Sequence, residues 1–445
     1  MTGWWQGWWR GWAVYRDRRM ALILALGFAS GLPQPMVYAN LSVWLKDSGL
    51  TLGSIALFGS LSTPYALNFL WAPLVDRLSL PGLGRRRGWL LLCQGGIALS
   101  LLALSLARPE AAVWPIIAAG LCLAIFSATQ DVVIDALRIE LLTPETYGAG
   151  SAVAVFGWHL GATVGGAGGL FLAAELGWPL TYRLALIALA VGVAAALLAP
   201  EPAAPARPAA AAPGAPRPKR LLGWLKETVV APLADFARRP GWLWVLAFIV
   251  VFKMGDALLG RMSNLFYREL GFSYEEIAEV AKIAGLAGLT LGAFAGGVAV
   301  KRLGTLKALF LAGLLMAATN LLYAWLATRG ADQGALALAV VSDQFTSGLG
   351  LTTFVAYLSG LCSLAFTATQ YALLASLANF ARIQVASASG WMVEGLAAME
   401  GWIGAHAWSV FFILTALLAL PGLALLAVLM RRLGDGEVPA RTRPD

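Results

Sequence analysis

Two aspartates and an arginine interrupt an otherwise apolar stretch, Phe126 to Glu145, which reads FSATQDVVIDALRIELLTPE. On a helix Asp131, Asp135 and Arg138 fall four and then three residues apart, so with Ser127 one turn earlier they share a face. An isolated ionised group at membrane depth costs roughly 2.5 to 3.5 kcal/mol on insertion scales, and is kept where it meets a bundle interior or a water-filled path. A carboxylate able to take up a proton in such a path is a candidate for proton coupling. The plain alternative is a stabilising pair, in which Arg138 neutralises one aspartate near a helix end. One arginine does not compensate two carboxylates. A second charged set, Lys253-Met-Gly-Asp256, has its ends three residues apart and is expected to pair, with Asn264 on the face of Lys253. It is either a structural ion pair or a binding lysine released when Asp256 takes a proton.

The elements that must position these groups follow from composition. The chain has 445 residues, 59% hydrophobic against 13% charged, which excludes a soluble globule and points to a multispanning membrane protein. Apolar stretches long enough for a bilayer of about 30 Å begin near Arg19, Thr51, Trp89, Ala112, Tyr147 and Leu180. A second set begins near Trp242, Tyr274, Leu306, Gly334, Phe366 and Trp408, which makes six plus six. The first is expected to be a retained helix, since no signal-peptide cleavage pattern follows it. Residues 1–18 carry tryptophans at helical spacing and suit a helix in the headgroup layer. Residues 19–199 and 241–432 are read as two six-helix bundles, 200–240 as a Pro/Ala-rich linker and 433–445 as a tail. Beyond the prolines, the piece Leu221 to Phe236 is compatible with a helix on the membrane surface. Lysines and arginines concentrate in loops on one side, which predicts both termini in the cytoplasm. The same topology accounts for the net charge of +8 and leaves no call for a nucleic-acid partner.

The halves carry traces of a repeat. GLTLGSIA from Gly49 matches GFSYEEIA from Gly271, and the Asp76-Arg77 end of the second span matches Lys301-Arg302, at offsets of 222 and 225 residues. SATQ at Ser127 and TATQ at Thr367 lie 240 apart, out of that register. Parallel six-helix repeats place a substrate site near the midplane between the halves.

Other motifs are read by the same chemistry. Asp76-Arg77 followed by Gly84-Arg85-Arg86-Arg87 is a loop in which an acid at a helix end pairs with arginines and a neighbouring helix and latches one side shut. Plain positive-inside charge accounts for the arginines but not for Asp76. Gly157, Gly161, Gly165 and Gly169, four residues apart, form a ladder for close helix packing. Gly285, Gly288, Gly292 and Gly296 form a small-residue stripe below Lys282. Gln34 and Tyr38 belong to a polar stripe in the first span, which Pro33 and Pro35 are expected to interrupt. His159 and His406 give no metal spacing, and Cys93, Cys122 and Cys362 read as buried small hydrophobes.

The runs Leu26-GFASGL-Pro33, Phe69-LWAPLVD-Arg77, Ser127-ATQDVVID-Ala136, Lys253-MGD-Ala257 and Thr367-ATQYAL-Leu374 resemble the AmpG-type muropeptide permeases, with departures at Ser342-Asp343 and Ala381. The resemblance covers nearly the whole membrane portion. It implies an all-α major facilitator fold of twelve helices and a multi-pass protein of the bacterial inner membrane. It also implies import of N-acetylglucosaminyl-anhydro-N-acetylmuramyl peptides, driven by the proton gradient with no cofactor, by a monomer and not by an enzyme. Proton coupling is then assigned to Asp131, Asp135 and Asp256. Substrate contact is assigned to Gln34, Tyr38, Asn68, Gln130, Arg138, His159, Lys253, Asn264, Lys282, Asp343, Gln370 and Asn379, and the cytoplasmic gate to Asp76, Arg77, Arg85, Arg86 and Arg87. Two other readings stand beside it, a facilitator for an acyl-coenzyme-A-like anion and a membrane-embedded glycolipid enzyme. The spread of charge over several spans argues against a single enzymatic site.

Overall fold

The computed structural model describes residues 13–50, 58–109, 111–203, 228, 230–399, 401 and 406–433. The Trp-rich start, the beginning of the second span, the centre of the Pro/Ala linker and the tail lie outside the described residues, and with them the expectations placed there. Nine described helices are long and apolar enough to cross a bilayer. They are α1 (Arg18–Asp47), α3 (Arg86–Leu106), α4 (Trp114–Leu141), α5 (Pro144–Leu176), α6 (Trp178–Leu198), α7 (Trp242–Glu269), α8 (Tyr274–Leu303), α9 (Thr305–Leu326) and α12 (Ala407–Arg432). The other three of the predicted twelve do not pass that test singly. Residues 59–77, here α2, are a chain of short turns whose helical pieces restart at Pro64 and Pro73, each in a first turn where its missing N–H leaves no bond unmade. Then α10 (Gln333–Leu361) and α11 (Leu364–Ala397) meet the length and hydropathy requirement only as a pair, bent by 100° at their junction.

One expected helix break is corrected, and an unforeseen one is found. Pro33 and Pro35 do not interrupt α1. The helix runs on through them, and a π turn at Met36–Asn40 absorbs the shifted hydrogen-bond register. The Met36 carbonyl accepts from the Tyr182 hydroxyl of α6 at 3.1 Å, which satisfies the backbone there. The break falls instead in α7, where helix ends at Val251 and restarts at Met254, with Lys253 at the restart.

Both glycine ladders are packing surfaces. A Cβ on Gly157 would lie 2.5 Å from the Leu24 carbonyl oxygen, and Gly161 and Gly165 press equally on the Phe28 and Leu32 carbonyls of α1. In the second half, Cβ atoms on Gly288 and Gly296 would lie 2.8 and 2.9 Å from carbonyl oxygens of Val341 and Leu349 on α10. With no large hydrophobic drive between helices in lipid, this close backbone approach supplies the dispersion contacts that hold each pair. Single glycines at φ +76 (Gly177) and +79 (Gly304) turn α5 into α6 and α8 into α9. Cys93 and Cys362 are buried, but Cys122 is exposed on the outer face of α4, where an apolar thiol can face lipid.

The halves meet at one end of the bundle, the end at which α2, α4, α8 and α10 finish and α5 and α11 begin. There Gly148 of α5 abuts Gly297 and Val300 of α8, and the Tyr15 hydroxyl donates to the Phe294 carbonyl at 3.3 Å. The described end of the linker is the helix Ala231–Ala237, which is not laid free on a surface as expected. Pro232 and Phe236 are buried, and the Pro232 carbonyl accepts from Gln370 of α11.

Candidate functional site

The charged residues of α4 separate into two levels. Asp131 Oδ1 accepts from Ser30 Oγ of α1 at 2.6 Å, and Tyr38 and Tyr65 lie beside this carboxyl. The two rings are 5.7 Å apart, and Gln34 sits one turn from Tyr38. Asp131, Gln34 and Tyr38 are all half-buried, so this corner keeps some access to the space between the halves. Four and seven residues on, Asp135 and Arg138 form an ion pair at 2.9 Å. The guanidinium also donates to Ser151 of α5 and, across the interface, to Ser359 of α10 at 3.1 Å, and lies 5.4 Å from the Tyr371 ring of α11. Arg138, 1% exposed, therefore joins the halves and is not presented to a solute.

In the second half the expected Lys253–Asp256 pair is not closed: the two charges still face each other, but no ion pair within 4.0 Å joins them, and Lys253 stands at the helix restart. The Lys253 ammonium lies 6.0 Å from the Phe354 ring centroid, while Asp256 Oδ1 accepts a long bond, 3.5 Å, from Ser347 of α10. Arg382 of α11 faces both charges. The sequence reading passed over Arg382; its only signal was one unpaired cation inside an apolar span.

The remaining candidates divide by burial. Asn68 is half-buried and accepts from Ser376 of α11 at 3.4 Å, an interhalf contact deeper in the bundle. Asn264 and Asn379 are exposed. His159 is half-buried, with Nδ1 2.8 Å from the Val155 carbonyl and its ring edge-on to Trp158. Gln130 is fully buried, bonded to Gln94 of α3 at 2.6 Å and to the Ala29 carbonyl at 2.8 Å, so it ties three helices together. Gln370 is equally committed, donating to Pro232 and Asp235 of the linker helix and accepting from the Ser363 N–H. Asp343 is buried. Lys282 lies on the first turns of α8, and its side chain is outside the described residues.

The gate residues converge. Asp76, at the end of α2, accepts from the backbone N–H groups of Ala368 (3.1 Å) and Thr369 (2.8 Å) and from Thr369 Oγ1 (2.8 Å). A carboxylate from one half thus caps the N-terminus of a helix in the other, where the orphan amides and the helix dipole favour negative charge. Arg86, fully buried, holds the same Asp76 oxygen at 2.8 Å and also binds Glu140. Arg85 binds Glu140 at 3.0 Å. Burial, and then the neighbouring Arg86, lower the Arg85 pKa from its usual value. Arg87 takes no part through charge: its guanidinium donates to the Leu197 carbonyl. Arg77, half-buried, ends α2 beside Asp76. Two acids completing the gate were missed by the sequence reading. Glu140 follows Arg138 by two residues, and Glu201 accepts from the backbone N–H groups of Arg85, Arg86 and Arg87 at 2.8, 2.8 and 3.0 Å.

Two helical halves, charged groups within the spans of each and a latch joining them at one end are the features of a multispanning transporter. Residues 21–388 match the Major Facilitator Superfamily. Among solved structures, the human organic anion transporter TETRAN (TM-score 0.63, 20% identity, 92% of this chain and 99% of that one) shares the fold. So does the proton:xylose symporter XylE (TM-score 0.63, 14% identity, 93% and 94%). The chain is 37% identical over 93% of its length to the anhydromuropeptide permease of Escherichia coli K12, covering 80% of that protein. It is 34% identical over 94% of its length to a Rickettsia felis protein bearing the transporter name AmpG 4, covering 98% of it. The chain belongs to the AmpG-type permease family of the major facilitator superfamily.

Proposed function

We propose that this transporter imports anhydromuropeptides, N-acetylglucosaminyl-anhydro-N-acetylmuramyl peptides, across the bacterial inner membrane from periplasm to cytoplasm, in symport with protons and by alternating access. The observation that carries the reading is that each half holds half-buried charged groups inside its membrane spans, Asp131 and Asp135 in the first and Lys253 and Asp256 in the second, while a latch joins the halves at one end. Positive-inside charge assigns that end to the cytoplasm. The kinship to a permease for this solute supports the substrate, since a sugar bearing a carboxylate peptide wants cationic and amide partners. Lys253, Gln34, Asn68 and Asn264 supply them. Asp131 and Asp135 serve as proton acceptors of the first half and Asp256 of the second. Asp76, Arg85 and Arg86 hold the cytoplasmic side closed.

The reading is tested by uptake of labelled anhydromuropeptide against labelled acyl-coenzyme A in proteoliposomes, with and without an imposed inward proton gradient. Muropeptide accumulation that needs the gradient is expected. Gradient-driven uptake of acyl-coenzyme A alone would replace this substrate with the other anion.

A further inference from the structure

Asp343 is a buried acid to which the transport cycle above gives no task. It sits mid-length on α10, 6% exposed, and its Oδ1 has no hydrogen-bond partner among the described residues. The carboxyl faces Thr319 and Tyr323 of α9 and, across the bundle, Asp256 of α7. Helix register supports this approach: Ser347, one turn beyond Asp343 on the same face, places its hydroxyl 3.5 Å from Asp256 Oδ1.

The donors in reach of the carboxyl are neutral hydroxyls, those of Thr319 and Tyr323, and both have other partners. Thr346 spends its hydroxyl on the Asp343 backbone carbonyl at 3.0 Å and lies 3.1 Å from Thr319. The Tyr323 hydroxyl is shared with Tyr267 of α7 at 2.9 Å. Toward α8 the helix meets the backbone of Gly288 and Gly292, which offers no charge. The cations nearby, Lys253 and Arg382, face Asp256 rather than Asp343. Two neighbouring carboxylates, Asp343 buried with an oxygen that nothing donates to and Asp256 half-buried, do not both stay ionised, because each disfavours the charge of the other.

We propose that Asp343 and Asp256 form a carboxyl pair that shares one proton and is the proton site of the second half. The inference rests on the proton-symport reading and deepens it. Loading forms an O–H bond at one carboxyl and leaves one negative charge on the pair; release breaks that bond and returns the proton to water, with no other bond made or broken. While the proton is present, Lys253 is available to a solute carboxylate. Once it leaves, the doubly charged pair draws Lys253 into contact with Asp256, and the solute loses its cation.

The test joins infrared spectroscopy with transport, using the full-length protein. The parent is expected to show a protonated-carboxyl C=O band that Asp343→Asn lacks, whatever solute is carried. Gradient-driven uptake by Asp343→Asn should fall at least tenfold, and Asp343→Glu should restore both band and uptake with a displaced pH profile. Were Asp343→Asn unable to fold, Asp343→Glu alone decides through the position of the band and of the pH profile. An unchanged band in the variants, or parental driven uptake by Asp343→Asn, overturns the pair. Failure of the parent to exchange muropeptide in counterflow overturns the substrate reading instead, and the infrared comparison still judges the pair.

Discussion

Asp76 concentrates the closing chemistry in one side chain. It accepts two backbone N–H groups and a hydroxyl from the other half and the Arg86 guanidinium from its own, with Arg85 at 4.0 Å. Removing one partner of a buried ion pair costs about 3 to 5 kcal/mol, because the remaining charge is left uncompensated. Arg86 keeps Glu140, so we expect Asp76→Asn to weaken the closed state by about 2 kcal/mol, within the range for losing charge-assisted bonds. That shift should expose the interface residue Ala152, now fully buried, to a membrane-impermeant thiol reagent from the cytoplasmic side in an Ala152→Cys background. No gain in labelling would mean that Asp76 does not hold the gate. At Asp131, replacement by asparagine keeps an acceptor for Ser30 while removing the proton site. Gradient-driven uptake should drop tenfold or more with the protein still folded; an unaltered pH dependence would remove Asp131 from coupling.

Helix pairing is where sequence and structure agree best, and the reason is physical. A glycine every fourth residue can only mark a face approached by another backbone, so the ladder of α5 was readable before its partner α1 was known. Gly161→Leu should drive the pair apart at the Phe28 carbonyl and cost about 1 to 3 kcal/mol as overpacking. In contrast, Gly260 in α7 has nothing within 4 Å of its Cβ position, and Gly260→Ala should be neutral or slightly stabilising. Thermal unfolding in detergent reads both; equal melting points would refute the packing account. The positions of helix breaks were not readable in this way. Pro33 and Pro35 look like a break, yet the π turn and Tyr182 absorb them. The break at Lys253 carries no proline, and only tertiary packing shows it. Gln130 and Gln370 look like ligands in sequence, but their amides join helices, because a buried amide seeks every donor and acceptor within reach.

Across the whole molecule, the two ends of the linker fasten onto the two sides of the gate. Glu201 holds the amides of the arginine loop in the first half, and Asp235 meets Gln370 beside Thr369 in the second. Asp76 and the arginines could be recognised from their spacing, whereas Glu140 and Glu201 could not. Their role arises only when distant segments fold to one end of the bundle. Glu201→Gln should loosen the arginine loop and raise labelling at the same Ala152→Cys probe by a smaller factor than Asp76→Asn does. The central claim is that a solute and a proton cross together between the halves. It is tested most directly by adding unlabelled anhydromuropeptide to proteoliposomes with no gradient and recording external pH. Alkalinisation that accompanies muropeptide entry, and is lost in Asp131→Asn, is the expected result; muropeptide entry with no movement of protons would contradict it.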